Sequence, residues 1–172
     1  MANGILKVGE ITTSSGSGNI TIGSGVTLLS NTPAFEAFLS ASQSVSHDTT
    51  TKIQIDSESY DTDNCYDNST NYRFTPNVAG KYLIYGLLTF ASVSDTTMQL
   101  RIHKNGSLLT LSPEKSGTGS ASHSSFCSFV DNANGSTDYY ELFGFQDSGS
   151  SKNANGASTQ NRTYFGAYRI GA

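Results

Sequence analysis

The strongest constraint on this chain is a run of residues, 82–90, that would leave neither face of a β-strand polar. Pro76 ends the strand before it, because proline cannot donate to a sheet hydrogen bond, and Gly80 supplies a turn. Alternation divides the run between two faces, with Tyr82, Ile84, Leu88 and Phe90 on one and Leu83, Tyr85 and Leu87 on the other. A strand with one wet face alternates apolar with polar residues. We therefore expect a sheet that packs on its core from one side and on a neighbouring subunit from the other.

The composition favours a single all-β domain with a short appendage. The 172 residues include 17 Gly and 3 Pro, with abundant Ser and Thr, which indicates short strands joined by polar turns. The net charge is −4 and Lys and Arg form no cluster, so we expect no nucleic-acid partner. No apolar run approaches about 18 residues, so we expect no membrane partner.

The remaining strands fall into two classes. Residues 52–56 and 98–103 alternate strictly between apolar and polar, as strands with one wet face do. Residues 139–146 and 164–170 carry apolar side chains on both faces, like 82–90. This division predicts a two-sheet sandwich in which one sheet faces water and the other faces neighbouring subunits.

Turn signals separate these strands. Asn105-Gly106 predicts a hairpin, and a further strand at 124–130 is closed by a turn at Asn134-Gly135. Residues 147–160 are polar throughout and are predicted to form a long variable surface loop.

Residues 1–30 differ from the rest of the chain. Short β-prone segments are joined there by Gly and Ser, and such segments cannot bury a core alone. They are predicted to form an extended arm that winds around identical copies or adds a strand to another protein, with a flexible leader as the alternative. The apolar side chains expected to carry such docking are Ile5, Val8, Ile11, Ile20, Ile22, Val26 and Leu28.

The sequence shows no catalytic pattern. His47, His103 and His123 are predicted to lie in loops or on an outward strand face, and no nucleophile, zinc or phosphate-loop motif surrounds them. We therefore expect a protein that is not an enzyme and that needs no cofactor.

Asp61, Asp63 and Asp67 form the one cluster that suggests a metal site. Alternating Asp residues open many calcium loops, but this segment has neither the glycine at the sixth position nor the terminal Glu. The alternative is an Asx-rich connection whose side chains cap backbone amides. The neighbouring Tyr60, Tyr66 and Tyr72 offer either packing beneath this loop or a carbohydrate platform.

The two cysteines, Cys65 and Cys127, are predicted to be buried free thiols, since disulfide scaffolds carry more cysteines in shorter chains. The first ten residues lack the apolar segment of a secretory signal.

Residues 33–172 resemble the globular-head jelly roll of complement one-q, which is shared with tumour necrosis factor. The residues that carry the resemblance are Phe35, YDTDNCYDNST at 60–70, FTP at 74–76, VAGKY at 78–82, IHKNG at 102–106 and TYFGAY at 163–168. The resemblance implies a jelly roll at 31–172 behind the arm at 1–30. The sequence departs from the family at Thr137-Asp138, where Gly-Asp is usual. It also lacks a collagen-like stalk, so complement function does not carry over.

The arm and the segment at 60–76 resemble the version of this domain found in small bacteriophage structural proteins. That resemblance implies a homotrimer on the virion surface, assembled in the bacterial host cytoplasm. The expected role is capsid decoration, with the arm bound to a major capsid or tail protein. The alternatives are a tail-fibre head that binds host surface glycan and, less favoured, an enzyme acting between subunits.

Two sets of residues follow from these expectations. Apolar strand residues expected at the trimer interface are Tyr85, Tyr140, Leu142, Phe165 and Tyr168, although alternation alone does not tell which strand face points to the axis. Loop residues expected to contact a ligand are Ser94, Asp95, Asn153 and Asn155.

Overall fold

The computed structural model describes residues 24–25, 32–93, 96–113, 115–116, 121–159 and 161–172. Residues Thr32–Ala172 form one compact unit. The predicted arm, with all seven of its docking residues, lies outside the described residues, as do Ser94 and Asp95. The division into an arm and a domain therefore stays a prediction.

The described part of the chain contains β-strands and no helix. Its strands are β1 (Ala34–Phe38), β2 (Gln43–Val45), β3 (Thr51–Lys52), β4 (Ser57–Asp61), β5 (Tyr66–Asp67), β6 (Arg73–Phe74), β7 (Gly80–Val93), β8 (Thr97–Lys104), β9 (Ser107–Leu111), β10 (Lys115–Ser116), β11 (Ala121–Ala133), β12 (Tyr140–Gln146), β13 (Lys152–Ala154) and β14 (Tyr164–Gly171).

These strands form two antiparallel sheets. Sheet A runs β11-β7-β14-β1-β4, and β13 and β2 extend it beside the far end of β7. Sheet B runs from β9 and β10 through β8 and β12 to β6 and β5, with β3 also paired to β12. One side of the sandwich is therefore bordered by β11 and β9, and the opposite side by β4 and β5.

The long strand β7 confirms the predicted division of residues 82–90 between two faces. Tyr82, Ile84, Leu88 and Phe90 are fully buried and point into the core between the sheets. Leu83, Tyr85 and Leu87 point the other way, away from sheet B, and are only partly buried.

An aromatic cluster fills one end of the core. The ring of Phe35 stacks on Tyr66 and on Phe74, each with 4.6 Å between ring centroids, and meets the edge of Phe165 at 5.2 Å. Such offset and edge contacts add to the stability that burial of the rings supplies. Strand β8 contributes the predicted inward residues Met98, Leu100 and Ile102, all fully buried.

Two predicted elements differ from the structure. The strand expected at 52–56 ends at Lys52, because the Ile55 amide turns back to the Ile53 carbonyl at 3.0 Å, although Ile53 and Ile55 are buried as predicted. The loop expected at 147–160 contains β13, which pairs with β2. The sequence analysis did not predict this strand, because its side chains are mostly polar and show no hydrophobic alternation.

Both predicted turns are confirmed. Asn105 and Gly106 each have positive φ, 52° and 79°, and they join β8 to β9. In the second turn Asn134 Oδ1 accepts hydrogen bonds from the amides of Ser136, Thr137 and Asp138. Asp138 returns a hydrogen bond by accepting from the Asn134 amide at 3.0 Å, so this turn is closed without the family's glycine.

Candidate functional site

The outward face of sheet A, on the side away from sheet B, is a continuous apolar surface. Residues paired across antiparallel strands point to the same side of a sheet, so the strand register defines rows of side chains. Three rows cross this face: Phe38–Tyr164–Leu87–Phe126, Glu36–Gly166–Tyr85–Ser128 and Ala34–Tyr168–Leu83–Val130. Tyr60 of β4 pairs with Glu36 and extends the middle row.

Several large apolar side chains on this face remain exposed to solvent. Val130 is 53% exposed and Phe126 is 49% exposed, and Tyr60, Tyr168 and Ile170 are exposed to a similar extent. Large contiguous apolar patches on soluble proteins mark interaction sites. The face therefore has the exposed apolar side chains that the sequence predicted for a doubly apolar sheet, and its cover by a neighbouring subunit stays a prediction.

A polar contact lies at the centre of this apolar face. The Tyr85 ring covers Gly166, where an added Cβ would lie 2.4 Å from the ring. The Tyr85 hydroxyl donates to Glu36 Oε2 at 3.0 Å, and Asn161 Nδ2 donates to Glu36 Oε1 at 3.3 Å. Burial, followed by hydrogen bonding with Tyr60 and the charge of Glu36, raises the pKa of Tyr85, so this phenol stays protonated.

Of the five residues predicted at a trimer interface, two lie on this face, and the prediction was wrong for the other three. Tyr85 and Tyr168 point outward from sheet A. Phe165 is fully buried because it pairs with Gly86 on the core side of the same strands. Tyr140 and Leu142 belong to sheet B and are also fully buried, and the Tyr140 hydroxyl donates to Asp131 at 2.6 Å.

The outward face of β12 is covered within the chain itself. Arg101 lies over the Phe145 ring at 4.1 Å, and His103 stacks on Phe143 at 4.1 Å. Lys52 pairs with Glu141 and also approaches Phe143 at 5.9 Å. Cations over aromatic faces are favourable. The second apolar face of 139–146 is therefore covered by side chains from other strands of the same chain.

A second exposed apolar patch lies on β9. Leu108, Leu109 and Leu111 are each between 39% and 50% exposed. In the described part of the chain, β9 pairs only with β8, so it forms an edge of sheet B. The sequence analysis missed this patch, although an uncharged Ser-Leu-Leu-Thr-Leu strand directly after a hairpin turn was a usable signal.

The aspartates of the calcium candidate do not form a metal site. Asp67 accepts hydrogen bonds from the amides of Ser69, Thr70 and Asn71, which hold the pKa of its carboxyl far below the usual range. Asp61 likewise accepts from the amides of Asp63 and Tyr66. The described residues include no group of three such side chains placed to hold an ion. The capping alternative is therefore the one that the structure shows.

A polar depression of about 550 Å³ lies beside these aspartates, next to β5 and β6. Its lining includes Glu58, Asn68 and Arg73. The aromatic platform suggested for Tyr66 does not form, because Tyr66 is buried in the core and donates its hydroxyl to the Ile55 carbonyl at 3.0 Å.

One of the predicted ligand-loop residues is not available to a ligand. Asn155 is buried, and its amide donates to the Thr89 carbonyl at 2.7 Å, so that prediction was wrong. Asn153 is exposed on β13.

Both cysteines are free and buried, as predicted. Burial raises the pKa of the Cys127 thiol to about 11 and also raises that of Cys65. Raised thiol pKa values oppose nucleophilic chemistry, since the thiolate is the reactive form. In the part of the chain that is described, no helix is long and apolar enough to span a membrane.

Similar proteins are found by structure and not by sequence. No protein-family model and no curated protein sequence matches the chain. The structure is similar to that of Eiger TNF from S. frugiperda, with a TM-score of 0.58 and 13% identity over 81% of this chain and 91% of that one. Murine APRIL matches with a TM-score of 0.59 and 14% identity, covering 81% of this chain and all of the other.

The globular domain of zebrafish complement 1qA matches with a TM-score of 0.54 and 16% identity, covering 80% of this chain and 95% of that one. These similarities confirm the predicted fold, an all-β two-sheet jelly roll of the kind shared by tumour necrosis factor and complement one-q.

Proposed function

We propose that this chain is a non-enzymatic structural protein that works as a closed homotrimer. In each contact, the outward face of sheet A of one subunit packs against the β9–β11 side of the next. The observation that carries the proposal is the pair of exposed apolar patches, one on sheet A and one on β9.

Two different patches favour a ring over a two-fold dimer. A two-fold contact joins a patch to a copy of itself, whereas a contact between two different patches repeats from subunit to subunit until a ring closes. The sheet A face and the β9 edge lie on different parts of the sandwich, so a head-to-tail contact covers both at once. The closure at three subunits is supported by the sequence resemblance, which implies a homotrimer.

The exposed side chains favour such a ring. Side chains such as Phe126 and Leu108 keep about half of their surface exposed in one subunit. Burying that remainder contributes roughly 1 kcal/mol per side chain. Eight exposed side chains in two patches thus supply several kcal/mol per contact, and each ring has a contact for every subunit.

The finer proposal is that the trimer decorates a bacteriophage particle. The support is the sequence resemblance of the arm and of residues 60–76 to phage structural proteins. The arm would bind a major capsid or tail protein, and the free buried thiols suit assembly in the bacterial cytoplasm before display on the virion surface. Immunogold labelling of intact particles tests this location: dense labelling of the head supports decoration, and labelling at the tail tip supports the tail-fibre alternative.

Paired charge substitutions test the ring contact. Tyr168→Lys places a charge on the sheet A face, and Leu108→Lys places one on the β9 edge. We expect wild-type protein at micromolar concentration to scatter light as three times 18.2 kDa, and each variant to be monomeric. Ser158→Lys, at an exposed polar position outside both patches, is the matched control and should remain a trimer.

Mixing the two variants distinguishes the kinds of contact. A head-to-tail contact predicts that the mixture forms dimers, because the intact edge of one variant fits the intact face of the other. A self-complementary contact predicts no rescue. A wild-type monomer near 18.2 kDa, or a trimer that survives both substitutions, would contradict the proposal.

A further inference from the structure

The polar depression beside β5 and β6 has the size of a small-ligand site. Its volume of about 550 Å³ lies within the range of protein ligand pockets. It lies on the β4–β5 side of the sandwich, opposite the β9–β11 side used by the proposed ring contact.

Arg73 provides hydrogen-bond donors that the described residues do not use. Its guanidinium carbon lies over the Tyr139 ring, 4.5 Å from the ring centroid. Among the described residues no acceptor receives a hydrogen bond from it, and no carboxylate pairs with it. A guanidinium that packs on an aromatic ring can still donate its N–H groups to a ligand.

The lining also contains a hydrogen-bonded turn and two side-chain amides. The Asp67 carboxylate accepts from three consecutive backbone amides and from Asn71 Nδ2 at 2.7 Å, so the turn that carries Asn68 is held in one conformation. The side-chain amides of Asn64 and Asn68 line the depression and make no hydrogen bond to the described residues. A preorganised site of this kind loses little entropy when a ligand binds.

The charges around the depression indicate which ligand class fits. Arg73 is accompanied by the carboxylates of Glu58 and Asp67. These two carboxylates would repel a negatively charged ligand. Asp67 is already fully occupied by hydrogen bonds, whereas Glu58 is exposed. The lining groups that remain free to bind a ligand are thus planar donors and acceptors without a strong net charge. Such groups suit a molecule that carries several hydroxyl groups.

We propose that this depression binds one neutral saccharide unit. Arg73 and Asn68 donate to hydroxyl oxygens of the sugar, and Glu58 accepts from a sugar hydroxyl. The lining residues lie within one short stretch of the chain, 58–75, so a single subunit supplies them.

Titration of the isotope-labelled full chain with neutral monosaccharides tests the site by amide NMR. The probes are methyl glucoside, methyl mannoside and N-acetylglucosamine, with glucuronate as the anionic comparison. We expect shift changes confined to residues around 58, 64–69 and 73, with a Kd on the order of 1 mM for at least one neutral probe.

Arg73→Met keeps the aliphatic stem on Tyr139 but removes the donors, and Asn68→Ala removes a half-buried side-chain amide of the lining. Both variants should weaken binding tenfold or more, as the loss of a hydrogen bond to a charged or amide group predicts. Arg101→Met is the matched control, because Arg101 also lies on an aromatic ring but outside the depression, and it should bind like wild type.

Three results would overturn the proposal. These are no shift changes with any neutral probe up to about 50 mM, binding that survives both Arg73→Met and Asn68→Ala, and a stronger response to glucuronate than to neutral sugars. The monomeric Tyr168→Lys protein should bind like the trimer, so failure of the ring proposal and failure of this site are separable.

Discussion

At the scale of single residues, Gly166 and Tyr85 determine the centre of the sheet A face. Gly166 has no side chain, and the Tyr85 ring occupies the space that a side chain would fill. This arrangement brings the Tyr85 hydroxyl to Glu36 Oε2, where it donates a hydrogen bond at 3.0 Å.

Gly166→Ala tests this arrangement. The added Cβ would meet the Tyr85 ring at 2.4 Å, so the ring must swing away and lose its bond to Glu36. We expect a loss of about 1–3 kcal/mol in the free energy of unfolding, as overpacking typically costs. Urea denaturation at a fixed protein concentration measures it.

Tyr85→Leu is the companion variant. If the clash is with the ring, adding Gly166→Ala to Tyr85→Leu should cost clearly less than adding it to wild type. Equal costs in both backgrounds would contradict the role given to the Tyr85 ring.

The sequence identified individual interface residues only in part. Alternation correctly separates the two faces of each strand, but it does not say which face meets the core. Tyr85 and Tyr168 lie on the outward face of sheet A, and Phe165 lies on its core face. Which face meets the core depends on the side that sheet B covers, and alternation does not contain this information. The burial of Leu142 was not predictable for a second reason. Long-range pairing of β12 with β8 decides which sheet contains this residue.

At the scale of elements, the doubly apolar strands β7 and β12 differ in what covers their outward sides. The outward side of β7 has no cover within the described chain except its own neighbours in the sheet, whereas that of β12 lies beneath Lys52, Arg101 and His103. The sequence predicted both strands and their turns well, because these depend on local patterns. The covering side chains come from other strands, so no local pattern reveals them.

The turn that follows β5 depends on the ionised Asp67 carboxylate. Its folded-state pKa lies below the unfolded value, so the unfolded chain binds more protons in acid and stability rises with pH. This contribution is present at neutral pH and is lost as the pH falls below about 4 toward the lowered folded-state pKa.

Asp67→Ala should therefore lower the free energy of unfolding by about 1–2 kcal/mol at neutral pH, as loss of a capping side chain does. The difference from wild type should shrink when urea denaturation is repeated near pH 3. Asp63→Ala is the control, since hydrogen bonds to its carboxylate are absent from the described part of the chain, and it should show neither effect. A deficit for Asp67→Ala that stays constant with pH would disprove the assigned role.

At the scale of the whole molecule, the two sides of the sandwich have opposite character. The β9–β11 side carries exposed Leu108 and Phe126, and the β4–β5 side carries the polar depression. The sequence predicted a trimer from apolar strands but did not locate these sides, because they depend on which strands end each sheet. The all-β jelly roll itself was predictable, since strand periodicity and family resemblance agree.

Deleting residues 1–29 tests the arm within the proposed function. The compact unit begins at Thr32, so the truncated protein should remain a trimer, with a Tm within about 2 °C of the full chain. It should no longer attach to virus particles, because the arm is expected to add strands to a capsid or tail protein. Light scattering, thermal unfolding and particle binding give the three readouts. A truncated trimer that still decorates particles at normal density would place docking in the jelly roll.

The position of β14 has a consequence for synthesis. This strand, Tyr164–Gly171, lies between β1 and β7 in the middle of sheet A, although among the described residues it is the last strand and β1 is the first. While the ribosome is still translating the preceding residues, β1 has no partner on that side and one edge of β7 stays open. Pairings between distant parts of a chain also make folding slow. Native structure can therefore form only after residue 171 has left the ribosome, and the nascent chain must be kept from aggregating until then.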